Sequence, residues 1–228
     1  MRKENSVFRT EFITESGCCI KNQDYFDFME LDDYCCYCIA DGNEEDLKHE
    51  NTKLAVNSVI TAFRENPGCS KKLVKYYMQV AHKTLYNSGG KEALETSMII
   101  LLTDYQKALW ISRGSTKLFG IRNGIIKWTA KENYIGQSGT FEPVIEKKQK
   151  LRDGDIFILY TRGAWKNIEN RQLLQAARQT DAPEKLCDRL EEIVLDHRQD
   201  IIENYTIVSI FIDKTYKKYK KNGGTFRT

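Results

Sequence analysis

The residues most able to do chemistry by themselves are seven cysteines and three histidines. A thiol nucleophile for phosphoryl transfer needs an arginine six positions after the cysteine, in a Cys-x5-Arg loop, and no cysteine here has one. Cys35 and Cys38 form a C-x-x-C spacing, which zinc or a redox disulfide could use. They sit in a run of β-formers, where that spacing sends the two side chains to opposite faces, and no second matched pair completes a site. Structural thiols are the better reading. An odd cysteine count with adjacent pairs at Cys18/Cys19 and Cys35/Cys36 is a poor disulfide framework and suits a reducing compartment. His49, His82 and His197 lie in helical stretches without ligand spacing around them, as ordinary helix-face histidines do.

These groups stand on a chain of 228 residues with 41% hydrophobic and 11% aromatic content, enough for the core of one domain. Val7 to Ile13 and Tyr34 to Ala40 read as strands, neighbours in one sheet. Helical spacing of Leu47, Leu54, Val56, Val59, Ile60 and Phe63 predicts a helix over 45–64, closed by Pro67-Gly68. A second runs from Ser70 to the Asn87-Ser88-Gly89-Gly90 stop. Strands follow at Thr96 to Leu102, Lys107 to Ser112, Lys117 to Ile121, Ile125 to Thr129, Val144 to Lys148 and Ile156 to Tyr160, joined by short polar or glycine-bearing turns. Helices return at Gln172 to Ala177 and at Pro183 to His197, before a last strand at Tyr205 to Ile212. Strands in runs and helices in pairs predict an α+β layered sandwich.

Four segments in order, and a fifth short match, resemble the metal-dependent type 2C (PPM) serine/threonine phosphatases. Gly17-Cys-Cys-Ile-Lys-Asn-Gln-Asp24 is similar to the family's opening "G…R…N-E-D", and Cys38-Ile-Ala-Asp41-Gly42 to its strand ending in Asp-Gly. Gly114-Ser-Thr-Lys-Leu-Phe-Gly-Ile-Arg-Asn-Gly124 lies over "G-D-S-R-x-Y…R-x-G". Leu151 to Trp165 is similar to "L-x-x-G-D-x-L-L-L-x-S-D-G-L-W", and Glu203-Asn-Tyr-Thr206 stands for "D-N-x-T". The resemblance covers nearly the whole chain. It implies a four-layer α-β-β-α sandwich of two antiparallel sheets flanked by helix pairs. It also implies two Mg²⁺ or Mn²⁺ ions, held mainly by aspartates, that activate water against a phosphoserine or phosphothreonine.

The departures fall on the metal ligands. Asp41 and the Gly42 carbonyl are retained as metal-binding candidates, Asp41 also as a catalytic one, and Asp24 keeps its place as a vestigial, supporting acid. Gln23 replaces a glutamate, and Glu203 replaces the terminal aspartate on a longer arm. Arg162 stands where an aspartate belongs, a swing of two charge units that puts a guanidinium in place of a cation. It is expected to lie buried among Asp41 and Glu203 and to pair with them. The phosphate-binding arginine has no match; Lys21 is the nearest substitute, a point charge and not a fork. Ser115, Lys117 and Glu132-Asn133 also depart, and Asn43-Glu-Glu-Asp46 brings negative charge to the approach.

The expectation is a pseudophosphatase with the two-metal site lost, holding no metal or a single Mg²⁺ or Mn²⁺ at Asp41, Gly42 and Glu203. It would act as a binding or regulatory module on a protein partner such as a phosphoprotein or a kinase. The alternative is a weakly active Mg²⁺/Mn²⁺-dependent phosphatase. The net charge of +3 leaves no nucleic-acid stripe, and no apolar run is long enough to span a membrane, so a cytoplasmic protein is expected. One domain over 1–213 and a basic flexible tail over 214–228, with Lys214, Lys217, Lys218, Lys220 and Lys221, complete the reading.

Overall fold

The computed structural model describes residues 7–42, 51–89, 96–130, 144–145, 149–196 and 203–213. The basic tail, the acidic stretch 43–46, Leu47, His49, His197, Glu132 and Asn133 lie outside these described residues, as does the end of the strand expected at Val144 to Lys148. Among the described residues eleven strands and five helices follow in order. The strands are β1 (Val7–Glu15), β2 (Tyr25–Glu30), β3 (Cys35–Asp41), β4 (Ser97–Thr103), β5 (Lys107–Arg113), β6 (Lys117–Arg122), β7 (Ile125–Thr129), β8 (Val144–Ile145), β9 (Gln149–Lys150), β10 (Asp155–Tyr160) and β11 (Tyr205–Asp213). The helices are α1 (Asn51–Glu65), α2 (Lys71–Gly89), α3 (Arg162–Trp165), α4 (Asn170–Gln179) and α5 (Pro183–Asp196).

One sheet has the order β1-β11-β10-β6-β7 and the other β2-β3-β4-β5-β8, with β9 also on β5; the pairings are antiparallel. Alternation along each strand then builds three apolar layers. Cys36, Cys38 and Ala40 of β3 face α1 and α2, with Val59, Phe63 and Tyr77. Cys35, Tyr37 and Ile39 of the same strand meet Phe157, Leu159 and Ile210 between the sheets. The outer face of the first sheet, through Phe119, Ile158 and Ile207, packs on Leu173, Leu186 and Leu190 of α4 and α5. The result is the expected α-β-β-α sandwich. Cys35 and Cys38 end in different layers, so their spacing forms no site.

One expectation fails. β1 and β3 are not neighbours: β1 pairs with β11 and β3 with β2 and β4, in opposite sheets. The partner of β3 is the unexpected strand β2, whose Asp27 and Glu30 break the apolar run that would mark it. The hairpin and the penultimate segment of the resemblance meet in one clasp. Arg122 donates from Nε and Nη2 to the two oxygens of Asp155, 2.6 Å each, while the Asp155 side chain is fully buried. Asp155 also accepts the Arg152 N–H at 2.7 Å, which holds the turn into β10. Among the described residues no helix is long and apolar enough to cross a membrane.

Candidate functional site

The C-terminal end of β3, the end of β10 with α3, the start of β11 and the loop before β2 converge at one end of the sandwich. Register dictates this: Tyr160 pairs with Ile207 and Glu15 with Tyr205, so the chain enters β11 beside the place where it leaves β10. Sequence separation is erased there, and residues over a hundred positions apart share hydrogen bonds.

Beneath the surface lies Asp24. Its carboxylate accepts from Thr161 Oγ1 at 2.6 Å, Asn204 Nδ2 at 2.8 Å and Thr206 Oγ1 at 3.0 Å. Thr161 Oγ1 in turn accepts the Thr206 N–H at 2.8 Å. Burial, and then the charge of Asp41, push the Asp24 carboxyl well above the usual carboxylate range, while its three donors pull it back. Such a group fastens β10, β11 and the loop together.

Above it, Asp41 Oδ2 accepts the main-chain N–H of Arg162 at 2.7 Å. The Arg162 guanidinium turns instead to Glu203, with Nε 3.0 Å from Oε2. Lys166, on the next residue after α3, donates to the other oxygen, Oε1, at 2.7 Å. Arg162 thus stands beside both acids, but its hydrogen bond to Asp41 comes from its backbone. Its side chain is 42% exposed, not buried, because the long stem carries the charged head outward to water. Burial raises Asp41 to about 6; the Arg162 N–H and charge oppose that rise and Glu203 adds to it. For Glu203, burial is outweighed by the Lys166 hydrogen bond and the two cations, which hold it below the usual range.

The remaining positions are fixed by close approach. A Cβ on Gly42 would lie 2.7 Å from the Gln23 carbonyl oxygen, and one on Gly163 only 2.2 Å from that of Asn204. Only glycine lets β3 pass the loop and α3 sit on the β11 entry. Gln23 is buried, and its Nε2 has no hydrogen-bond partner among the described residues. Lys21 is exposed on the β1–β2 loop. Ser115 donates its N–H to Ser97 Oγ at 3.0 Å, and the Lys117 ammonium lies 3.9 Å from the centre of the Trp165 ring, so both brace the scaffold. Sequence reasoning missed Lys166 and the contributions of Thr161, Asn204 and Thr206. The "N-x-T" of the last segment was the one signal for two of them.

The architecture is shared with solved phosphatases. The chain superposes on the serine/threonine phosphatase PstP of Mycobacterium tuberculosis with a TM-score of 0.70 and 17% identity, over 91% of this chain and 99% of that one. It matches the PP2C phosphatase domain and regulatory fragment of SpoIIE from Bacillus subtilis with a TM-score of 0.73 and 20% identity, over 92% of this chain and 64% of that one. The fold is that of the PP2C phosphatases. A third match is PppA of Pseudomonas aeruginosa, a regulatory component, with a TM-score of 0.67 and 15% identity over 91% and 99% of the two chains. Another structure of the PstP catalytic domain contains two manganese ions. The sequence itself matches no family model and no curated protein.

Proposed function

We propose that the chain is a PP2C-like pseudophosphatase, a binding or regulatory module in protein phosphorylation whose metal site has been replaced by the protein's own cations. The observation that carries this reading is Glu203, whose two oxygens are taken by Arg162 and Lys166. Two divalent ions a few ångströms apart need several carboxylate oxygens to offset their charge. Here Asp24 is committed to its three donors and Asp41 gives one oxygen to the Arg162 N–H. Gln23 brings an amide whose buried nitrogen has no hydrogen-bond partner among the described residues, at a position where an acid would be a ligand's support. Among the described residues the remaining donors there, Asp41 Oδ1 and the Gly42 carbonyl, do not suit a pair of Mg²⁺ or Mn²⁺ ions. The near balance of charge over the chain favours a protein partner over nucleic acid.

Calorimetric titration with Mn²⁺ tests this. The unaltered chain is expected to bind none in the micromolar range. Arg162→Asp alone should remain weak, because Lys166 still holds Glu203; Arg162→Asp with Lys166→Ala should gain a site. Micromolar binding of two ions by the unaltered chain sinks the reading. Mn²⁺-dependent turnover of an aryl phosphate, abolished by Asp41→Ala, would establish a weak phosphatase in its place.

A further inference from the structure

Arg162 and Lys166 have more donors than Glu203 can use. Arg162 spends only Nε on that carboxylate, and its Nη1 and Nη2 groups hydrogen-bond nothing among the described residues. Lys166 carries ammonium protons beyond the one given to Oε1. The two side chains are 42% and 45% exposed, so their heads stand at an open edge and are hydrated in the free protein. The Lys117 ammonium, stacked on Trp165, adds a third positive charge beside the same turn.

These heads are held in place. The Arg162 backbone is fixed by its N–H to Asp41, and Trp165 and Lys166 donate main-chain N–H groups to Thr161 and Arg162 at 3.1 Å each. Gly163 is pressed against the Asn204 carbonyl, and Glu203 bridges the two cations and sets their spacing. Binding to such a turn loses little further side-chain freedom.

We propose that this edge binds a phosphomonoester directly, the Nη edge of Arg162 taking two phosphoryl oxygens and Lys166 the third, with no divalent ion between. The occupant is a phosphoserine or phosphothreonine carried by a partner protein. A guanidinium fork beside an ammonium matches a three-oxygen dianion better than it matches a further carboxylate, which would leave donors unused. No bond is made or broken. The inference rests on the metal-free reading above.

The test uses the full chain in EDTA, with a capped pentapeptide of phosphoserine flanked by alanines, its unphosphorylated twin, and inorganic phosphate, all followed calorimetrically. The phosphopeptide is expected to bind, its twin to be silent and inorganic phosphate to compete. Arg162→Gln and Lys166→Gln should each weaken binding about tenfold or more, with Arg162→Lys in between. Lys166→Gln changes a half-exposed side chain, so it reports even where Arg162→Gln fails to fold. Equal binding of both peptides, no binding of the phosphopeptide, binding of inorganic phosphate alone, indifference to both glutamine variants, or a requirement for Mn²⁺ each overturns the proposal. A Mn²⁺ titration of the same sample separates the two levels. Metal uptake brings down the metal-free reading as well, whereas a metal-free chain that ignores the phosphopeptide brings down only this inference.

Discussion

Asp41→Asn is expected to change the pH dependence of stability more than stability at acid pH. Burial raises the Asp41 carboxyl from 3.8, ordinary for aspartate, to about 6. Between those two values the folded chain keeps a proton that the unfolded chain has released. Stability therefore falls as pH rises through that window, and the whole penalty is present above about 6. The rise from 3.8 to about 6, at about 1.4 kcal/mol for each tenfold change in proton affinity, corresponds to about 3 kcal/mol. For a chain of this size that is about 6–12 °C in Tm. Asparagine keeps an oxygen for the Arg162 N–H and carries no charge. Thermal unfolding of both proteins from pH 4 to pH 8 should show little difference at the acid end. The variant should gain steadily to about pH 6 and hold a constant lead beyond. Asp24, whose raised value is due partly to Asp41, adds to the same side. Glu203, held low, contributes stability that is lost as pH falls, in both proteins alike. A difference in Tm that stays flat across the window would refute the claim that burial at Asp41 outweighs the opposing charges of Arg162 and Lys166.

Two further substitutions probe the scaffold. Arg122→Ala leaves the fully buried Asp155 without its fork, and urea denaturation should show a loss of about 3–5 kcal/mol, well above that of an exposed pair. Gly163→Ala drives a methyl group to 2.2 Å from the Asn204 carbonyl. It should cost about 1–3 kcal/mol in thermal unfolding, as overpacking does, because backbone on both sides has little room to yield.

Much of the fold was legible because its strands are continuous β-former runs closed by turns, and its long helices keep a helical period. β10, with six buried residues in a row, could hardly be anything else. What sequence could not supply was partnership. Adjacent strands read as one sheet, yet β1 and β3 lie in opposite layers, because the half-buried edge strand β2 intervenes and its acids mask it. α3 is four residues long and carries no period to read. At the site, motif order located Asp24, Asp41, Arg162 and Glu203, but not how they meet. The Arg162–Asp41 contact uses a main-chain donor, invisible in side-chain reasoning, and Lys166 reaches Glu203 across 37 positions. Tertiary geometry alone decides both.

The Asp24 clasp bears on how such a protein behaves in a cell. Where a fold binds dissociable ions, its folded population follows their concentration by mass action, gaining about 2.7 kcal/mol at a hundredfold excess over Kd. Here β10, β11 and the β1–β2 loop are tied by Thr161, Asn204 and Thr206 to a carboxylate beneath the site. Cations covalently part of the chain cannot be diluted away. Under the metal-free reading, the amount of folded protein is the same in manganese starvation and in plenty, and its abundance answers to synthesis and turnover alone.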